Sequence, residues 1–291
     1  MVFSASPIEH KTGIEAELIM KIATPICVFT LSVIWGSTHV LAGEEPAQAV
    51  QIQQSKGQNP LAGEDKCRKL LAGVVHLSDD DLRFRTAGGS VVFVDPVASP
   101  TNSLAIKTGM LKPDLVLVTH AHPDHYQPAV LQDCQKLNPA SIVVLPDNLT
   151  NRATIKGISH LEPVKPGQAC TLAGIHFQTV PAYFNEGKSH PKDKGWVGYV
   201  LKLDGVSYYV TGDTEPVPEM AKVKADVLFP LLFGCGGNLD NALKMVEMTQ
   251  PRLVVPVHHS DQEEVIKKFL SRLPKGVQGA WYKDGELIFG R

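Results

Sequence analysis

From Gly73 onward the chain is a series of short apolar runs set between turn residues, and the runs alternate between strand-like and helix-like spacing. Gly73–Leu77 and Leu82–Thr86 predict strands, and Val91–Val94 follows the turn Ala87–Ser90 as the second arm of a hairpin. Leu115–Val118 is continuously apolar, as a strand covered on both faces must be, and Ser141–Leu145 predicts another buried strand. Pro128–Leu137 and Leu149–Lys156 have helical spacing. His176–Val180, Gly198–Leu203 and Val206–Thr211 form a strand-rich middle. Asp226–Leu232 and Arg252–Val257 predict two further buried strands. Between them, Leu239, Ala242, Met245, Val246 and Met248 mark a helix over Leu239–Thr249. Asp261–Leu273 predicts an amphipathic helix with Asp261 as its cap. A hairpin of Gly279–Tyr282 and Glu286–Phe289 turns at Asp284-Gly285. Such a mixture stacks as layers of one domain, here residues 67–291, with no internal linker and no fixed-period repeat.

The first part of the chain has a different pattern. Met20-Lys21 opens a short basic start, Ile22–Trp35 is an apolar run, and small residues follow. Val40-Leu41-Ala42 fits a cleavage site, with Ala47-Gln48-Ala49 as a second option. The run is short for a membrane-crossing helix. Residues 1–42 therefore predict a secretory signal peptide, with Met20 as an alternative start and an uncleaved anchor as the alternative fate. The expected product is periplasmic or secreted, with no stable membrane span after signal removal. Residues 43–66 are a polar, Gln-rich linker.

Composition narrows the function. The 291 residues carry 28 basic and 30 acidic side chains, and removing residues 1–42 leaves 26 and 27. Near-neutral charge gives no signature of nucleic-acid binding, so a small-molecule substrate is the expected partner. Four cysteines remain (Cys67, Cys134, Cys170 and Cys235), compatible with disulfides in an exported chain or with free thiols.

The chemistry sits at strand ends. Val118-Thr119-His120-Ala121-His122-Pro123-Asp124-His125-Tyr126 places three histidines and an aspartate within six residues, directly after an apolar run. Imidazole and carboxylate together suit Zn²⁺, Mn²⁺ or Fe²⁺. His120 and His122 can project together from an extended start, while Asp124 and His125 fall on the returning turn and can face a second ion. Tyr209-Val210-Thr211-Gly212-Asp213-Thr214 delivers another carboxylate to a strand end, and Val255-Pro256-Val257-His258-His259 another imidazole.

In order and spacing these three pieces resemble the metallo-β-lactamase superfamily of metal-dependent hydrolases, over roughly residues 73–289. Val94-Asp95-Pro96, Val180-Pro181-Ala182-Tyr183, His190-Pro191, Gly195-Trp196-Val197-Gly198-Tyr199 and Gly212-Asp213-Thr214 look like its single-domain bacterial metal-dependent hydrolase branch. The resemblance implies an α/β fold, an αββα sandwich, with the site between the edges of two sheets. It implies that His120 and His122 bind one ion, that Asp124, His125 and His258 bind a second, and that Asp213 bridges them. Asp95 matches a position that supports the ligands from behind. His258 is preferred over His259 as ligand. The chain departs from the family where Pro181-Ala182-Tyr183-Phe184 lacks the usual histidine; His190 is the candidate replacement, with an exposed loop residue or a substrate contact as its alternatives.

The implied cofactor is zinc, as one or two ions, with manganese or iron as alternatives. A bound divalent ion lowers the pKa of water toward 7, giving hydroxide at neutral pH. Asp124 or Asp213 would orient that nucleophile and move a proton, and Tyr183, Tyr126 or His190 would supply an oxyanion donor. The predicted activity is hydrolysis of an ester, lactone, amide or phosphodiester; the alternative is a non-catalytic metal- or ligand-binding protein of the same fold.

Overall fold

The computed structural model describes residues 64–78, 80–98, 112–150, 156–185, 189–260, 262–283 and 286–289. The expected export segment, the first part of the linker, Asp261 and the Asp284-Gly285 turn lie outside the described residues. No helix among the described residues is long and apolar enough to cross a membrane.

Two sheets form the body. The first holds β1 (Val74–Ser78), β2 (Asp81–Arg85), β3 (Val91–Val94), β4 (Leu115–Leu117), β5 (Ile142–Pro146) and β6 (Leu161–Val164), in chain order. Its first three strands are antiparallel neighbours, and β3 to β6 pair in parallel. The second sheet holds β7 (Ala169–Leu172), β8 (Ile175–Pro181), β9 (Val197–Leu203), β10 (Val206–Val210), β11 (Val227–Phe229), β12 (Leu253–Val254), β13 (Gln278–Lys283) and β14 (Glu286–Phe289). These also lie side by side in sequence order, with a parallel centre from β10 to β13.

Strand side chains alternate faces, and that alternation sorts the apolar residues into three layers. Val92, Val94, Leu115, Leu117 and Val144 of the first sheet meet Tyr199, Leu201, Tyr208, Val210, Val227, Phe229 and Leu253 of the second. The alternate residues Val91, Phe93, Val116, Val143 and Leu145 face outward under α2 (Pro128–Leu137), against Val130, Leu131 and Cys134. On the far side Tyr209, Leu228, Val254 and Trp281 pack against α3 (Leu239–Thr249) and α4 (Glu263–Ser271), through Met245, Val246, Ile266 and Phe269. Helix, sheet, sheet, helix is the expected αββα sandwich. Each fully buried leucine such as Leu117 contributes on the order of 1.5–3 kcal/mol to this arrangement.

Some elements differ from the sequence expectation. α1 (Glu64–Leu70) takes the last three residues of the expected linker, because Cys67 and Leu70 find a place in the inter-sheet core. The expected helix Leu149–Lys156 is a single 3₁₀ turn at Asp147–Leu149 over its described part. β6 and β7 were not predicted. Each lies at a sheet edge and is largely exposed, so neither has a distinctive apolar pattern. Among the described residues, Cys67, Cys134, Cys170 and Cys235 are all free thiols.

Strand direction sets the location of the chemistry. β1, β3 and β4 run the same way in the first sheet, and β8, β10 and β12 do so in the second. Their carboxyl ends deliver Asp80, Asp95, His120 to His125, His190, Asp213 and His258.

Candidate metal centre

The sheets are tied together where β4 ends. Tyr199 donates its buried hydroxyl to the Val118 carbonyl at 2.7 Å, and the Val197 amide donates to the Thr119 carbonyl at 3.2 Å. The chain then turns through His120, His122 and His125. The Thr211–Thr214 segment comes alongside from the other sheet, with Gly212 at φ 61°; a Cβ there would sit 3.0 Å from that of Thr119. Glycine is the residue that permits both the left-handed backbone and this approach.

Two tetrads result. His120, His122, His190 and Asp213 form one, and Asp80, His125, Asp213 and His258 the other; in each, the ligand atoms all lie within 4.8 Å of one another. In the first, His190 Nε2 is 3.1 Å from His122 Nδ1, and Asp213 Oδ2 is 3.7 Å from both His120 Nε2 and His190 Nε2. In the second, His125 Nε2 lies 3.4 Å from Asp213 Oδ1 and 3.5 Å from Asp80 Oδ2, and His258 Nε2 lies 3.7 Å from Asp80 Oδ2. Asp213 therefore presents one oxygen to each group.

His190 is fully buried, although it sits in a loop. Its carbonyl accepts from the Phe184 amide at 2.9 Å, which pins the segment where the expected histidine is missing. His258 also has a left-handed backbone, and Gly234 on the 233–237 loop approaches so closely that a Cβ there would lie 2.6 Å from His258 Cε1. His259 turns away and packs on His76 and Trp281. Asp124 stands at the rim, 46% exposed, its carboxylate 3.4 Å from His258 Nε2 and 4.0 Å from His125 Nε2.

Asp95 lies behind the imidazoles. It accepts from the Thr119 amide at 2.7 Å and the Thr119 hydroxyl at 2.6 Å, and its Oδ2 is 2.8 Å from His125 Nδ1. With the Thr119 proton given to Asp95, the hydroxyl oxygen accepts from His120 Nδ1 at 2.9 Å. One buried carboxylate thus fixes two imidazoles with Nε2 facing the cluster.

The proposed oxyanion donors fare differently. Tyr183 donates its hydroxyl to Glu219 at 3.2 Å and accepts from Lys192 at 3.1 Å, so its one proton is used away from the tetrads. Tyr126 packs with the apolar layer under α2, and its buried hydroxyl has no hydrogen-bond partner. The sequence reading gave no role to Asp80, Trp196 or Cys235. The Trp196 ring packs against His120, His122 and His190 with centroids 5.3, 5.4 and 4.7 Å away. Cys235 Sγ lies 4.0 Å from His122 Nδ1.

The donor set fits divalent ions. His120 Nε2, His125 Nε2, His258 Nε2, Asp80 Oδ2 and both Asp213 oxygens are buried polar atoms without a hydrogen-bond partner, an arrangement costly unless a cation satisfies them. Burial, reinforced by neighbouring histidines, holds the His120 imidazole well below its ordinary value. Burial likewise brings His190 down to about 4, against the pull of Asp213. Both therefore stay neutral, the form in which an imidazole can bind a metal. Around the second tetrad burial also opposes charge, but Asp80, Asp95 and Asp213 outweigh it and push His125 up to about 10. Asp124, Asp80 and Asp213 do the same for His258, to about 9.

A layered αββα sandwich with a histidine–aspartate cluster at one shared edge defines the metallo-β-lactamase fold. Residues 81–258 match the Beta-lactamase superfamily domain, and the chain belongs to that family. It is 32% identical over 190 residues to a UPF0173 metal-dependent hydrolase of Thermococcus kodakarensis, covering 61% of this chain and 80% of that one. A second UPF0173 metal-dependent hydrolase, of Thermus thermophilus, is 27% identical over 212 residues, covering 70% and 92%. In structure the chain is similar to Igni18, a metallo hydrolase of Ignicoccus hospitalis, at a TM-score of 0.59 and 22% identity over 75% of this chain and 97% of that one. It is also similar to the metallo-beta-lactamase fold protein YhfI of Bacillus subtilis, at 0.55 and 14% over 73% and 92%.

Proposed function

We propose that this metal-dependent hydrolase cleaves an ester, lactone, amide or phosphodiester bond of a small molecule, with zinc as the preferred metal and manganese or iron as alternatives. The observation that carries this reading is the pair of tetrads joined through Asp213. It supports His120, His122, His190 and Asp213 as holders of one ion. It supports His125, His258 and Asp213 as holders of another, with Asp124 approaching from the rim. Divalent ions bound there would lower the pKa of water toward 7 and would polarise a carbonyl or phosphoryl oxygen.

The protein's own groups do the rest. Asp95 and Thr119 keep the His120 and His125 rings aimed, so the centre is ordered before substrate arrives. Trp196 covers the back of the first tetrad and keeps bulk water from its imidazoles. Asp213 is held between the two groups and orients the nucleophile. Asp124, half exposed beside His258, is placed to accept a proton and return it to the leaving group. No serine or cysteine nucleophile is required.

The test is metal content by mass spectrometry, with hydrolysis of aryl esters, lactones and an aryl phosphodiester before and after chelation. The expected result is bound divalent metal and chelator-sensitive turnover of one substrate class. A purified protein that binds no divalent ion refutes the reading. The apolar run Ile22–Trp35 after Lys21 supports export. Cell fractionation with amino-terminal sequencing tests it; a full-length cytosolic product refutes it.

A further inference from the structure

The geometry points to Asp80 as a protein ligand of the second ion, a role the family pattern gives to Asp124. The inference rests on the reading of this cluster as a metal centre. Asp80 lies in the β1–β2 turn, where the pairing slips between His76 and Ser78. That turn is at the carboxyl end of β1, the same edge as β3 and β4. The side chain is 2% exposed, and Oδ2 is buried with no hydrogen-bond partner. It faces two imidazole nitrogens, His125 Nε2 at 3.5 Å and His258 Nε2 at 3.7 Å, and shares their tetrad with Asp213.

A buried carboxylate oxygen with no hydrogen bond is expensive to desolvate. A cation shared with His125 and His258 satisfies it. Asp124 reaches the same imidazoles from solvent, 46% exposed, and remains available to substrate. With Asp80 the second tetrad has two imidazoles and two carboxylates, against three imidazoles and one carboxylate in the first. The second site is therefore the harder one and shifts its preference from Zn²⁺ toward Mn²⁺ or Fe²⁺, while the first keeps the donor set of a zinc site.

The test uses the full protein, stripped by chelation and dialysed against Zn²⁺ alone or Mn²⁺ alone, with ions per chain counted by mass spectrometry. Asp80→Asn is nearly isosteric and Oδ2 makes no hydrogen bond, so folding is retained, as a melting curve of the metal-free variant verifies. Wild type is expected to hold two ions per chain. Asp80→Asn is expected to hold one, with the second ion weakened at least about tenfold and Mn²⁺ losing more than Zn²⁺. The spin-coupled two-manganese signal of the wild type should collapse to a single-ion spectrum. Asp124→Asn should keep both ions. The inference is overturned if Asp80→Asn holds two ions with wild-type affinity, or if Asp124→Asn loses an ion that Asp80→Asn retains. Wild-type protein without metal overturns the metal-centre reading itself, a separate outcome.

Discussion

Replacing Asp95 by asparagine tests how far the centre depends on a group that touches no substrate. The backbone tolerates the change: Asp95 sits at φ 49°, a region that asparagine enters as readily as aspartate. The hydrogen bonds do not. Oδ1 accepts from the Thr119 amide, so the asparagine oxygen must stay there and the new NH₂ replaces Oδ2. That NH₂ then faces the Thr119 hydroxyl and His125 Nδ1, which both donated before. His125 must switch its proton to Nε2, the atom that points at Asp213 and Asp80. A proton there blocks the ligating lone pair. Loss of such a supporting partner costs 10–100-fold in metal affinity, about 1.4–2.7 kcal/mol. The metal-free protein also loses a charge-assisted hydrogen bond worth about 1.5–3 kcal/mol, a drop of several degrees in Tm for a domain of this size. Competition against a chromogenic chelator resolves the two ions, and the ion near His125 should weaken most. Two ions bound with wild-type affinity in Asp95→Asn would refute the reasoning.

Other substitutions probe separate parts of the argument. Gly212→Ala forces a Cβ to 3.0 Å from that of Thr119 at a left-handed backbone, and should cost about 2–3 kcal/mol; an unchanged melting temperature contradicts the close approach. Tyr183→Phe removes hydrogen bonds to Glu219 and Lys192 and should cost about 1 kcal/mol at most while leaving turnover within a few-fold; a hundredfold loss of kcat would return the phenol to the chemistry. Asp226 accepts from the Ser207 amide at 3.0 Å and hydroxyl at 2.9 Å and from Arg252 at 3.2 Å, and these partners hold its carboxyl below the usual range despite burial. Its contribution is therefore full above the unfolded-state pKa of about 3.9 and fades as pH falls through the folded value. Asp226→Asn should cost about 1 kcal/mol at neutral pH, and the difference from wild type should close in acid; a gap independent of pH is the contrary result.

The legible parts of the fold are those with both faces covered. Leu115–Val118 and Val227–Phe229 are apolar throughout because one set of side chains fills the inter-sheet core and the other meets a helix. β6 and β7 lack that double cover, and Leu161-Glu162-Pro163-Val164 has no distinguishing pattern. At the site, His120, His122 and His125 stand out because one turn carries them all. His190 is harder to place from sequence, since nothing local announces that its carbonyl meets the Phe184 amide. Asp80 is inconspicuous in the sequence for a related reason. Asp79-Asp80-Asp81 looks like ordinary turn chemistry until the shared direction of β1, β3 and β4 brings it to the ligand edge.

Each tetrad draws equally on the two sheets. His120 and His122 follow β4 while His190 and Asp213 follow β8 and β10; Asp80 and His125 belong to the first sheet while Asp213 and His258 belong to the second. An ion held by either group is thus a rivet through the seam of the sandwich, and the halves cannot separate until it leaves. At free metal a thousandfold above Kd, one such rivet adds about 4 kcal/mol to the work of unfolding. Metal starvation would then do more than silence the enzyme: it would loosen the seam itself and expose the chain to proteolysis along the ligand edge.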